Sequence, residues 1–156
     1  MGKYTDDDIT IIDKKEIARL QLEDSIKMFL EERYFSAITL AGAADGIFCG
    51  IIQSTGEASP GDKTWQEIEY FRGEGIPLAG NISKKEAFRT WNLYRNALKH
   101  HDAEKDDDHL EIFPIDEAYE WIERAVHSGK VVGVSARNYD QLQARVIPWF
   151  FLENGM

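Results

Sequence analysis

YFSAITLAGAADGIFCGIIQ, residues 34–53, is the stretch whose reading decides the fold. Its small residues Ala37, Ala41, Gly42, Ala44 and Gly46 let a neighbouring helix approach closely, and Ile38, Leu40, Ile47, Phe48, Ile51 and Ile52 supply apolar area. A helix this apolar belongs at the centre of a bundle. Asp45 is the exception, because a carboxylate on such a helix must reach solvent, a partner charge or an interface. Cys49 reads as a small core residue, since nothing in its sequence context argues for a lowered thiol pKa. The apolar run from Ala37 to Ile52 is broken by Asp45 and falls short of the ~20 residues a membrane span needs, which predicts no membrane association.

Upstream, Ile17, Leu20, Ile26, Phe29 and Leu30 recur at helical spacing between Asp13 and Arg33, with charges on the opposite side. Asp13 is the expected N-cap, with Glu16 three residues on. Residues 1–12 form an acidic N-terminal tail with no apolar signal core. Downstream, STGEASPGD (54–62) reads as a loop. Thr64 to Glu67 fits a capping box that starts a short helix running to about Arg72, ended by Gly73, Gly75 and Pro77.

Ser83 to Glu86 makes a second capping box, opening a helix expected to continue to about His101. Asp102–Asp108 is a charged loop without EF-hand spacing. Pro114 opens another helix with Ala118, Trp121, Ile122 and Ala125 inward and Gly129 as a candidate stop. His127, near its C-terminus, is assigned to the helix dipole or the surface. KVVGVS (130–135) reads as extended or turn, and Ser135 or Asn138 caps a last helix that Pro148 kinks or interrupts. The apolar VIPWFFL end is a lid on the core or a subunit contact. The expectation is an all-α, up-and-down bundle of five or six helices, a single domain over 13–156 with a C-terminal helical extension.

The chain carries 156 residues with a net charge of −10 and a single cysteine. One cysteine excludes an internal disulfide and suits a reducing, cytoplasmic setting. The negative balance opposes nucleic-acid binding by the surface as a whole, so a phosphate ligand requires a local basic patch. One such patch lies in SKKEAFRTWNLYRNALKHHD, residues 83–102. On a helical wheel Ala87, Trp91, Tyr94 and Leu98 form the buried stripe, while Arg89, Asn92, Asn96, Lys99 and His100 share the other half. Arg95 borders the stripe. Arg95 and His100 diverge by ~140° on an unbroken helix, so they meet on one substrate only if the helix loosens or two copies face each other. A guanidinium binds phosphate bidentately, and an imidazole can move the proton of a ribose 2′-hydroxyl. Together they suit metal-independent RNA cleavage.

RNALKH (95–100) resembles the Arg-polar-(x)-His signature of the HEPN domains, and YFSAITLAGAADGI resembles their small-residue second helix. The resemblance spans roughly Lys15 to Gly129. It implies a homodimeric helical bundle whose two motifs meet in a shared cleft, and a metal- and cofactor-independent endoribonuclease of a toxin–antitoxin or phage-defence system. In that setting a nucleotidyltransferase-type antitoxin is the expected partner. Arg95 would contact the scissile phosphate, His100 would be the acid-base group and Asn96 would orient them. His101, Asp45 and Lys99 are auxiliary candidates. The alternative is a non-catalytic dimeric module that binds a nucleotide or a protein partner.

Overall fold

The computed structural model describes residues 9–102, 104–105 and 108–153, the last five of these by backbone alone. Among them are seven helices and no strand: α1 (Lys14–Leu30), α2 (Tyr34–Ser54), α3 (Pro60–Gly73), α4 (Lys84–Trp91), α5 (Leu93–Ala97), α6 (Pro114–Val131) and α7 (Tyr139–Glu153). The all-α bundle follows the sequence expectation, with more helices than expected because the motif helix is split in two. The acidic tail up to Asp8, Asp106, Asp107 and the side chains of the apolar end from Trp149 on lie outside the described residues, whereas Val146 packs against the core and Ile147 is exposed.

Asp13 caps α1, its carboxylate accepting from the Lys15 amide at 2.8 Å. Glu16 does not close a capping box; it pairs with Arg19, which also reaches Glu23. The helix ends three residues earlier than periodicity suggested. The Arg33 amide folds back to the Met28 carbonyl at 2.8 Å, and Glu32 sits at φ 61°. That closure satisfies a terminal carbonyl and turns the chain directly into α2. The apolar stripe also lies differently: Ala18, Leu22, Ile26 and Phe29 are buried, whereas Leu20 is exposed.

α2 takes the centre, packed between α1 and α6. Ile38 and Phe48 from α2, Leu22 and Ile26 from α1, Trp121 and Ile122 from α6 and Leu142 from α7 are shut off from solvent in one core. Each such side chain contributes about 1.5–3 kcal/mol by leaving water. At 21 residues, α2 is long and apolar enough to cross a membrane by length and composition, contrary to the sequence expectation; here its buried side packs into the bundle core.

Two helix boundaries differ from expectation for local reasons. α3 begins at Pro60, because Ser59 and Asp62 form the capping box expected at Thr64 and Glu67; Thr64 lies inside the helix with its hydroxyl on the Pro60 carbonyl. α6 runs through Gly129 to Val131, and the left-handed stop is Gly133 at φ 77°, with the Val134 amide on the Gly129 carbonyl at 2.8 Å. A Cβ on Gly129 would stand 3.0 Å from the Val134 carbonyl oxygen and 3.2 Å from the Phe48 ring, so that glycine makes room both for the turn that ends α6 and for α2–α6 packing. α7 continues across Pro148 without interruption.

Candidate functional site

The helix expected over 83–101 stops at Trp91. Asn92 adopts φ −102°, ψ 3°, and α5 restarts at Leu93 for five residues. Asparagine competes locally for backbone hydrogen bonds and is a poor helix interior residue, so the break falls where the sequence is weakest. The break is held from outside. Arg124 of α6 donates to the Trp91 carbonyl at 3.1 Å and to Asn92 Oδ1 at 3.3 Å. Its Nη2 also lies 3.6 Å from Asp45 Oδ2 on α2.

Asp45 is 4% exposed. Its Oδ1 accepts from Ser128 Oγ at 2.7 Å and stands 3.6 Å from Cys49 Sγ. It therefore reaches a partner charge and a hydroxyl, one of the fates open to a carboxylate on an apolar helix, and it faces a cleft. Burial, and next the Asp45 charge, push the Cys49 thiol up to about 11, which keeps it a thiol at neutral pH. Desolvation lowers the Arg124 pKa, Asp45 opposing that effect and the nearby Arg95 charge adding to it.

Arg95 lies across α2. A Cβ on Gly42 would meet Arg95 Cδ at 2.4 Å and Cγ at 2.6 Å, so only glycine leaves room for this side chain where it stands. The Arg95 guanidinium sits 5.2 Å from the Trp121 ring centre, and that of Arg124 sits 3.9 Å from it. Arg95 donates to Asn96 Oδ1 through Nε and Nη2, both at 3.3 Å. Asn96 Oδ1 is thus an acceptor for the Arg95 guanidinium. Arg95 has no carboxylate partner among the described residues.

Two hollows meet at Arg95. The larger, about 670 Å³, is walled by Phe88 and Trp91 on one side and by Arg124, His127 and Ser128 of α6 on another, with Asp45 and Cys49 beneath and Lys63 and Glu120 at its border. The smaller, about 600 Å³, runs along the outer side of α2 and is edged by Lys14, Arg95 and Lys99. Such volumes suit small organic ligands. The aromatic wall offers a stacking face, the guanidiniums bind anions, and the hydroxyl and carboxylate can hydrogen-bond a sugar or base. Among the described residues no group of three His, Cys, Asp or Glu side chains could hold a metal.

The sequence-predicted site is thus gathered in part. Arg95, Lys99 and Asp45 each line one or both of the two hollows, and Asn96, which lines neither, is bonded to Arg95. His100 does not line either of them; it is exposed just past α5, its amide on the Asn96 carbonyl at 3.0 Å. His101 is also exposed and lies 3.6 Å from Asp108. Sequence reasoning missed Arg124 and Lys63, and it placed His127 on the surface without a site. His127 donates from Nδ1 to the Glu123 carbonyl at 2.8 Å, leaving Nε2 free, and borders the larger cleft. The signal available was spacing: positions 120, 124, 127, 128 and 131 form one stripe on α6. Comparison with known proteins finds no matching family model, no similar curated protein and no similar solved structure.

Proposed function

We propose that this chain is a HEPN-like nucleotide-binding protein, seating one nucleotide in the larger cleft with its phosphate on Arg95 and its base against Phe88 and Trp91. One observation carries the reading. Arg95 is a cation without a carboxylate partner among the described residues, in a chain of net charge −10, held in place by Gly42, Trp121 and Asn96 at the mouth of an aromatic-walled cleft. A charge so placed is completed by an anionic ligand, and bidentate contact with phosphate is the arrangement guanidinium geometry favours. Arg124 is the second donor set, its charge answered in part by Asp45. The test is titration with nucleoside mono-, di- and triphosphates, followed by tryptophan fluorescence. Arg95→Ala is expected to weaken binding at least about tenfold, the scale of one charge-assisted hydrogen bond. Wild-type protein that binds no nucleotide and no RNA refutes the reading.

A second reading is that of an endoribonuclease, favoured by Arg95 standing ready with Asn96 as its orienting neighbour. His100 lies outside the cleft of its own chain, so cleavage in this reading takes His100 from a second copy, in a homodimer. Its imidazole would take the 2′-hydroxyl proton while Arg95 steadies charge on the phosphate. Toxin or phage-defence roles, and a nucleotidyltransferase-type antitoxin, belong to this reading. Chains carrying Arg95→Ala and His100→Ala, each inactive alone, would regain metal-free RNA cleavage when mixed. Intact RNA from folded wild type and both variants alike would sink it.

A further inference from the structure

Asp45 lies at the floor of the larger cleft, 4% exposed, and its two carboxylate oxygens are placed differently. Oδ1 accepts from Ser128 Oγ at 2.7 Å, with Cys49 Sγ 3.6 Å away. Oδ2 accepts no hydrogen bond among the described residues; Arg124 Nη2 stands 3.6 Å from it, beyond hydrogen-bond range. Burying a carboxylate oxygen without a donor is costly, and the cleft that Asp45 lines is the side from which a ligand can supply one. The neighbours decide the kind of donor. Arg124 stands beside Asp45 and Arg95 lines the same cleft, so two guanidiniums oppose a cationic ligand. The missing donor is therefore a neutral N–H group. Arg124 has five N–H donors of its own. It uses them on the Trp91 carbonyl at 3.1 Å and on Asn92 Oδ1 at 3.3 Å, and the others are left. Those bonds also tie it to the end of α4, which carries the aromatic wall. A flat ligand against Phe88 and Trp91 thus meets a donor set from Arg124 and, 3.6 Å from it, an acceptor from Asp45.

From this pairing we infer that the larger cleft selects guanine, with Asp45 accepting from its N1–H and 2-amino groups and Arg124 donating to its O6. The inference rests on the nucleotide reading of that cleft and specifies the base. Among the four common bases guanine alone carries two adjacent N–H donors beside a carbonyl oxygen. Adenine and cytosine present a ring-nitrogen acceptor next to their amine, which turns a lone pair on the carboxylate. Uracil has one N–H between two carbonyls, so pairing it with Asp45 brings a carbonyl oxygen against the carboxylate. A wrong base therefore leaves a buried polar group unpaired, the circumstance in which a site discriminates strongly.

The experiment titrates wild type and Asp45→Asn with the monophosphates of guanosine, adenosine, cytidine and uridine, and with those of inosine and xanthosine. Inosine lacks the 2-amino group, and xanthosine carries an oxygen in its place. Wild type is expected to bind the guanosine nucleotide at least about tenfold more tightly than the other three common ones, with the inosine nucleotide in between. Asp45→Asn keeps the volume of the side chain but exchanges an acceptor oxygen for an N–H donor. It should lose the preference for guanosine and bind the xanthosine nucleotide more tightly than the guanosine one. A purely structural role would weaken every ligand alike, so the reversal reads the contact itself, and equal weakening of all six overturns the role of Asp45. The wild-type series needs no variant and decides the base even where Asp45→Asn does not fold. Another common nucleotide bound as tightly as that of guanosine overturns the inference while leaving the nucleotide cleft standing. Wild type that binds no nucleotide at all removes the cleft reading as well.

Discussion

Gly42→Ala is expected to weaken phosphate binding strongly while lowering stability only modestly. The added Cβ would stand 2.4 Å from Arg95 Cδ and 2.6 Å from Cγ, far inside van der Waals distance. Those atoms belong to a flexible side chain, so Arg95 gives way rather than the helices. Three terms set the stability. Alanine in place of glycine within a helix gains about 0.8–1 kcal/mol. Forcing Arg95 out of its rotamer costs about 0.5–1.5 kcal/mol, and moving its guanidinium away from Trp121 costs about 0.5–1 kcal/mol. Together they run from about zero to a net loss of about 1.7 kcal/mol, a melting shift of about 7 °C at most for a chain of this size. Binding has no such compensation. Removing one charge-assisted hydrogen bond of about 1.5–3 kcal/mol weakens affinity roughly 10- to 150-fold. The assay pairs a thermal melt with nucleotide titration on four proteins: wild type, Gly42→Ala, Arg95→Ala and the double variant. If glycine acts through Arg95, the double variant binds no worse than Arg95→Ala alone. Undiminished affinity in Gly42→Ala refutes the reasoning, as does additive loss in the double variant.

Cys49 should resist alkylation at pH 8 and react only as pH approaches about 11; Asp45→Asn, by removing a charge that opposes the thiolate, should shift the rate profile to lower pH. Wild-type reaction at pH 8 as fast as that of an exposed thiol contradicts the burial of this pair. Lys84 and then Ser59 hold the Asp62 carboxyl below its ordinary value of 3.8. A depressed pKa contributes stability above that value and loses it as pH falls through the folded-state pKa. Lys84→Met should therefore lose about 0.3–1 kcal/mol at pH 7, towards the lower end because Lys84 is half exposed. The loss should vanish in acid well below pH 3.8, and an equal loss at every pH in denaturant titrations would rule the ion pair out as its cause.

The elements of this fold were legible because their causes are local. The apolar run of α2, the Pro114 start of α6 and the Ser83–Glu86 capping box depend on residues within a few positions of one another, and each appears in the bundle as read. Boundaries failed where two local signals competed. Ser59 with Asp62 displaced Thr64 with Glu67, and Gly133 rather than Gly129 took the left-handed stop. Arg95 and Asn96 were visible as a motif, and Asp45 as a carboxylate in an apolar helix, before any contact was known.

What the linear order did not contain was the arrangement of charge. The break at Asn92 is fastened by Arg124 from a helix about thirty residues on, and Asp45 finds its hydroxyl on that same helix. Lys14, Arg95 and Lys99 converge only because α2 brings α1 and α5 to its outer side, and His100 is kept out of the cleft because α5 stops at Ala97. Helix formation answers to neighbours a turn away, and periodicity records it. Electrostatic convergence answers to distance through space, which packing alone sets, so the sequence named the charged residues while the folded chain decided which of them lie side by side.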